Sequence, residues 1–149
     1  MYTIGKRFTF DAAHRLGLHQ GKCRRPHGHT YILEIEVTGP CQEEGSAQGM
    51  VIDYYIIKDI VQKHILDLCD HQNLNEVLKP HFPGCNPETE NVTTAENMVG
   101  LFAAILESAF NHAGPGGVLT KVRLQETPNS WAEWRRSDAP VWQVKGPTA

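Results

Sequence analysis

Apolar and polar residues alternate from the start of the chain. Tyr2, Ile4, Phe8 and Phe10 fall on one side of an extended backbone and Thr3, Gly5, Arg7 and Thr9 on the other, which is the period of a half-buried strand. If the strand stays extended, Ala12 and His14 join its apolar face. A loop over 15–26 follows, and then Tyr31, Leu33, Ile35 and Val37 alternate with Ile32, Glu34, Glu36 and Thr38, giving a second strand able to pair antiparallel with the first. His27 and His29 keep the parity of its apolar set. After a turn-rich stretch over 39–49, Asp53 is a good N-cap for a helix whose Ile57, Ile60, Val61, Ile65 and Leu68 follow i, i+3, i+4 spacing to a stop near Asp70-His71. Residues 75–92, rich in Pro and Gly, predict an irregular loop. Thr93 and Glu96 match a capping box for a second helix, carried by Val99, Leu101, Phe102, Ile105, Leu106 and Phe110 to His112 and stopped by Gly114-Pro115. Alternation resumes at Val118, Thr120, Val122 and Leu124, which places Glu126 on the same face, and a last strand is expected over 130–136. The predicted class is α+β: an antiparallel four-stranded sheet with two helices on one face, in the order β-β-α-α-β-β. It forms one domain over 1–136, followed by a C-terminal tail over 137–149.

Composition narrows the function. The chain has 149 residues, enough to hold its own core, and 14 Lys+Arg against 17 Asp+Glu give a net charge of −3, without the broad basic face that nucleic acid requires. No apolar run approaches the roughly 20 residues needed to cross a bilayer, and the first residues lack the layout of a signal peptide, so no membrane partner and a cytoplasmic location are expected. The cysteines Cys23, Cys41, Cys69 and Cys85 are scattered with no Cys-x-x-Cys pair, which favours free thiols. Eight histidines change the picture more, because imidazole is the commonest metal ligand.

His27-Gly28-His29 is the first candidate site. Residues i and i+2 of a strand share a face with Cα atoms roughly 6.6 Å apart, close enough for both rings to reach one ion, and the hairpin brings His14 to the same end. Three neutral imidazoles would leave a Zn²⁺ ion its full charge and an open position; the alternative is turn histidines that bond only locally. Cys23 lies in a loop with Lys22, Arg24 and Arg25, where positive charge lowers a thiol pKa, so it is either a base or an inert loop thiol. Asp70-His71 is either a helix-end pair favoured by the dipole or a carboxylate-oriented proton shuttle. Glu126, at a strand end, either meets Lys121 or Arg123 or receives a ligand's donors. His19, His64, His81 and His112 read as surface or helix-end residues.

Six segments occur here in order: Phe10-Asp11-Ala12-Ala13-His14, Cys23-Arg24-Arg25-Pro26-His27-Gly28-His29, Gly49-Met50-Val51-Ile52-Asp53, Asp70-His71-Gln72-Asn73-Leu74-Asn75, Thr93-Thr94-Ala95-Glu96-Asn97 and Gln125-Glu126-Thr127. Together they resemble the 6-pyruvoyltetrahydropterin synthase / 6-carboxytetrahydropterin synthase family over roughly residues 3–136. The resemblance implies a tunnelling fold (T-fold), with subunits closing into a trimeric β-barrel and two trimers stacking into a homohexamer whose sites lie at subunit interfaces. It implies zinc held by His14, His27 and His29, Cys23 as catalytic base, Asp70 and His71 as proton relay, and Glu126 as the carboxylate that grips the pterin ring. The implied substrate is 7,8-dihydroneopterin triphosphate. The three residues between Cys23 and His27 resemble the 6-carboxytetrahydropterin synthase branch of the queuosine pathway. The pyruvoyl-forming activity and a non-catalytic zinc- or pterin-binding member remain the alternatives.

Overall fold

The computed structural model describes residues 1–113 and 116–136. The tail expected over 137–149 and the Gly114-Pro115 stop therefore lie outside the described residues.

The two N-terminal alternating segments form β1 (Tyr2–His14) and β2 (His27–Gly39), an antiparallel pair in unbroken register from Tyr2 opposite Gly39 to His14 opposite His27. Phe8, Phe10 and Ala12 are buried from β1 and Tyr31, Leu33, Ile35 and Val37 from β2, so one face of the pair faces the core as the pattern predicts. Tyr2, expected on that face, is 64% exposed, because the strand runs past the edge of the core.

Asp53 caps α1 (Tyr54–Val61) by accepting from the Tyr55 amide at 2.8 Å. The helix does not continue uniformly. A π turn over Gln62–Leu66 intervenes before α2 (Asp67–Cys69), and its extra residue moves the buried position from Leu68, as the i, i+3, i+4 spacing had it, to Cys69. The segment expected as an irregular loop over 75–92 begins within ordered structure that starts at Gln72 and includes a 3₁₀ turn over Lys79–His81. Gln72–Asn73 makes a short strand, β3, parallel to β1, and α3 (Leu74–Val77) follows, with Leu74, Leu78, Phe82 and Val92 buried in the core. The long helix α4 (Ala95–His112) is capped by Thr94, whose hydroxyl accepts from the Asn97 amide. The capping box expected at Thr93 is thus off by one residue, since Thr93 is drawn into a buried polar network instead.

Two further strands, β4 (Val118–Thr127) and β5 (Ser130–Arg135), complete a sheet ordered β3-β1-β2-β4-β5. The sheet is five-stranded and mixed, not four-stranded and wholly antiparallel, because β3 adds a parallel edge. A bulge in β4 opposite the Glu36/Val37 step shifts the alternation, so Leu119 is buried and Thr120, predicted inward, is not. The helices cover one face of the sheet, and a single core joins them to it.

Candidate active site

The loop end of the β1–β2 hairpin carries the three histidines. His14 stands opposite His27, and His29 stands opposite Ala12, so all three imidazoles project on the core-facing side of adjacent strands. Their ring centroids are 4.6, 4.9 and 5.1 Å apart, and one ligand nitrogen from each lies within 4.8 Å of the others.

Backbone carbonyls set two of the tautomers. His14 Nδ1 lies 2.9 Å from the Thr93 carbonyl and His27 Nδ1 lies 2.7 Å from the Arg25 carbonyl. A carbonyl can only accept, so each Nδ1–H donates, and in the neutral ring it is Nε2 that keeps the lone pair. All three Nε2 atoms are buried without a hydrogen-bond partner, a state that native structures rarely leave unexplained. Burial also lowers the pKa of His29, and the neighbouring His14 and His27 act in the same direction against Glu126. The neutral, ligating form is therefore favoured there. Three converging imidazoles with an open side fit a borderline divalent metal, which imidazole ligates in its neutral form.

Glu126 reaches this cluster through a second bulge. Between Gln125 and Thr127 β4 carries one residue more than β5, and Glu126 is that residue. Its Oε1 lies 3.2 Å from His14 Nε2 and 3.6 Å from His29 Nε2, within ion-pair range but without hydrogen-bond geometry to either ring nitrogen. The His14 imidazole beside it holds the carboxyl below the usual glutamate range, with burial opposing and the other two histidines assisting. Neither basic side chain offered as its partner reaches it: Lys121 pairs with Glu36, and the Arg123 guanidinium lies 4.2 Å from the Trp131 ring centroid. Below the cluster Tyr31 is fully buried, edge-on to His14 and His29, and its hydroxyl too lacks a partner.

Asp70 and His71 are pinned to β1 just past the end of α2. The Asp11 amide donates to Asp70 Oδ1 at 3.0 Å and the His71 amide donates to the Asp11 carbonyl at 2.6 Å. His71 adopts a left-handed conformation, φ 58°, uncommon for a side chain of its size, and its Nδ1 lies 2.9 Å from Asp70 Oδ1. The hydrogen bond from Asp11 lowers the pKa of Asp70, and His71 adds to the effect. The His71 side chain is 76% exposed and borders an open groove of about 550 Å³ that His29 also lines. Cys23 sits half-buried in a 3₁₀ turn over Lys22–Arg24, its carbonyl accepting from the Leu16 amide.

The structure thus gathers His14, His27, His29 and Glu126, while no hydrogen bond or ion pair among the described residues links Cys23, Asp70 or His71 to them. Of the remaining histidines, His19, His81 and His112 are exposed and His64 is half-buried. Two contributors escape sequence reasoning. Thr93 looks like a helix cap, and Asn75 like one more polar loop residue, yet both are buried beside His14. Cys69 is buried as well, and burial pushes its thiol pKa up to about 12, which marks it as an inert core residue.

A T-fold sheet bearing a three-histidine cluster with a carboxylate at its mouth defines a tetrahydropterin synthase type of protein. The chain belongs to the 6-pyruvoyl tetrahydropterin synthase family, a family of enzymes whose sequence profile matches residues 3–137. Among its relatives is the 6-carboxy-5,6,7,8-tetrahydropterin synthase of Haemophilus influenzae, 35% identical over 145 residues that span 91% of this chain and 99% of that one. The protein of the same name from Synechocystis is 34% identical over 135 residues, or 90% and 93% of the two chains. Among solved structures, the 6-pyruvoyl tetrahydropterin synthase of Caenorhabditis elegans superposes with a TM-score of 0.72 at 28% identity, covering 91% of this chain and 96% of that one.

Proposed function

We propose that this chain is a zinc-dependent 6-carboxytetrahydropterin synthase. It would convert 7,8-dihydroneopterin triphosphate and water to 6-carboxy-5,6,7,8-tetrahydropterin, acetaldehyde and triphosphate, on the cytoplasmic route to queuosine and related 7-deazapurines. The observation that carries the reading is the convergence of three partnerless Nε2 atoms beside the Glu126 carboxylate. The names of the relatives at 34–35% identity support the carboxy product, as does the three-residue spacing from Cys23 to His27.

His14, His27 and His29 would hold the zinc. When bound, the metal supplies Lewis-acid polarisation to the hydroxyls of the substrate side chain. The Cys23 thiolate removes a proton from the side chain, and His71, oriented by Asp70, moves the second. Glu126 accepts from the guanidine-like edge of the pterin and fixes its orientation. Lys22, Arg24 and Arg25, all exposed on the loop that carries Cys23, attract the triphosphate.

A homohexamer built as a dimer of trimers completes the reading. Among the described residues β5 pairs on one side only, and β1 meets β3 only at Ala12 and Ala13, so both sheet edges can accept further strands and close a barrel between copies. The exposed Asp70–His71 pair lies on one of those edges, where a second copy can meet it.

The pyruvoyl-forming reaction is the second reading, favoured by the structural likeness to the Caenorhabditis elegans enzyme. Anaerobic incubation of the metal-loaded protein with 7,8-dihydroneopterin triphosphate, read by mass spectrometry, separates the two. 6-Carboxytetrahydropterin with acetaldehyde, absent with Cys23→Ala, is expected. A pyruvoyl product moves the chain to the other reaction, and metal binding without turnover makes it a non-catalytic binding protein.

A further inference from the structure

Asn75 is 3% exposed, and its side-chain amide uses its full hydrogen-bonding capacity. Its Oδ1 accepts from the Arg15 amide at 2.9 Å and from the Thr93 hydroxyl at 3.3 Å. Its Nδ2 donates to the Arg15 carbonyl at 2.9 Å and to the Pro87 carbonyl at 3.0 Å. The Thr93 hydroxyl lies 3.4 Å from the same Arg15 carbonyl.

Three segments distant in sequence therefore meet on one side chain: the end of β1, the 75–92 segment and the lead into α4. The metal-facing consequence lies one bond further on. Arg15 follows His14 directly, and Thr93 supplies the carbonyl that takes the proton of His14 Nδ1. Holding both the backbone after His14 and the carbonyl beneath its ring sets where Nε2 points and which tautomer the ring adopts. Such partners of a metal-bound histidine commonly control affinity as strongly as the histidine's own placement. The His14 ring is the most enclosed of the three, since His14 is buried and His27 and His29 are half-buried, so it has the least freedom to correct a misplacement.

We propose that Asn75 is the positioning residue of the metal site, acting on His14 through Arg15 and Thr93. The inference rests on the reading of the three histidines as metal ligands. It goes beyond that reading because nothing in it gives Asn75 a role at the metal site.

The test measures metal affinity, not turnover. Metal-free full-length protein is titrated with Co²⁺, followed by its visible absorption, and with Zn²⁺ against a chromophoric chelator, for wild type, Asn75→Ala, Asn75→Asp and Thr93→Val. Asn75→Asp keeps the acceptor but loses both donors, so both Asn75 variants are expected to bind about 10–100-fold more weakly, with an altered Co²⁺ spectrum. Thr93→Val keeps the carbonyl under His14 and cuts only the hydroxyl links, so a loss of about threefold is expected. A core truncation some 18 Å along α4 from its cap, Leu106→Ala, is expected to lower stability and leave affinity unchanged. If the folded Asn75 variants bind like wild type and only melt earlier, the residue is structural and the proposal falls. If neither Asn75 variant folds, unchanged affinity in Thr93→Val overturns it. Failure of the wild type to bind a single equivalent of metal overturns the metal reading itself, an outcome visible without any variant.

Discussion

At the scale of single residues, burial separates thiols and carboxylates that look alike in the sequence. Cys85 is exposed, Cys23 and Cys41 are half-buried, and Cys69 is in the core with its pKa pushed up to about 12. Reaction with a thiol reagent at neutral pH is expected to occur at the exposed Cys85 and to be absent at Cys69 until the protein is denatured, as peptide mapping of the labelled sites will report. Asp70 makes a pH prediction. Its pKa is lowered chiefly by the hydrogen bond from the Asp11 amide, so the folded state favours the carboxylate. A lowered folded-state pKa contributes stability above the unfolded-state value, and that contribution fades as pH falls through the folded-state value. In urea denaturation, Asp70→Asn should therefore be less stable than wild type at neutral pH. The difference should shrink towards zero in acid. A constant difference across that range contradicts the assignment.

Among the elements, the caps and bulges do the positioning. Thr94 accepts from the Asn97 amide at the start of α4, so Thr94→Ala is expected to cost about 1 kcal/mol in denaturation, whereas Glu96→Ala, outside any capping box in the fold, should stay within about 0.5 kcal/mol. The β4 bulge at Glu126 matters more to function. The extra residue aims a carboxylate at His14 and His29 from a strand whose regular alternation is already broken near Leu119. Glu126→Gln preserves shape and one acceptor but removes the charge. It is expected to leave the fold and the metal content unchanged while raising the KM for the pterin, and an unchanged KM would remove Glu126 from substrate binding.

Taken whole, the molecule places its site where the core ends. The rings of His14, His27 and His29 continue the apolar face of β1 and β2 past Phe10, Ala12 and Tyr31, so a bound ion would tie together the two strands at the loop end of the hairpin. Ligands that bind only the folded state stabilise it by mass action, about 2.7 kcal/mol at a hundredfold excess over the dissociation constant. Saturating zinc is accordingly expected to raise the melting temperature of wild type and chelation to lower it, with His29→Ala insensitive to both. A zinc-independent melting temperature in wild type would count against the three-histidine site.

Much of this was readable from local pattern, because alternation and i, i+3, i+4 spacing report which face each residue must bury. The β1 and β2 faces, the Asp53 cap, the α4 core residues and the grouping of His14 with His27 and His29 all follow from parity and hairpin pairing, which are short-range properties. The misses have a common cause. The π turn that buries Cys69, the one-residue shift of the α4 cap and the two β4 bulges each insert or displace a single residue, and the parallel edge strand at Gln72–Asn73 forms only against Ala12 and Ala13 some 60 residues away. Nothing local encodes such shifts. The neighbours of Glu126 and the clamp of Asn75 on Arg15, Pro87 and Thr93 likewise exist only once the chain is folded, because hydrogen-bond partners 12 to 60 residues apart are chosen by the packing that buries them. Sequence alone determined which residues could form a metal site, and tertiary structure decided how their ring nitrogens are aimed.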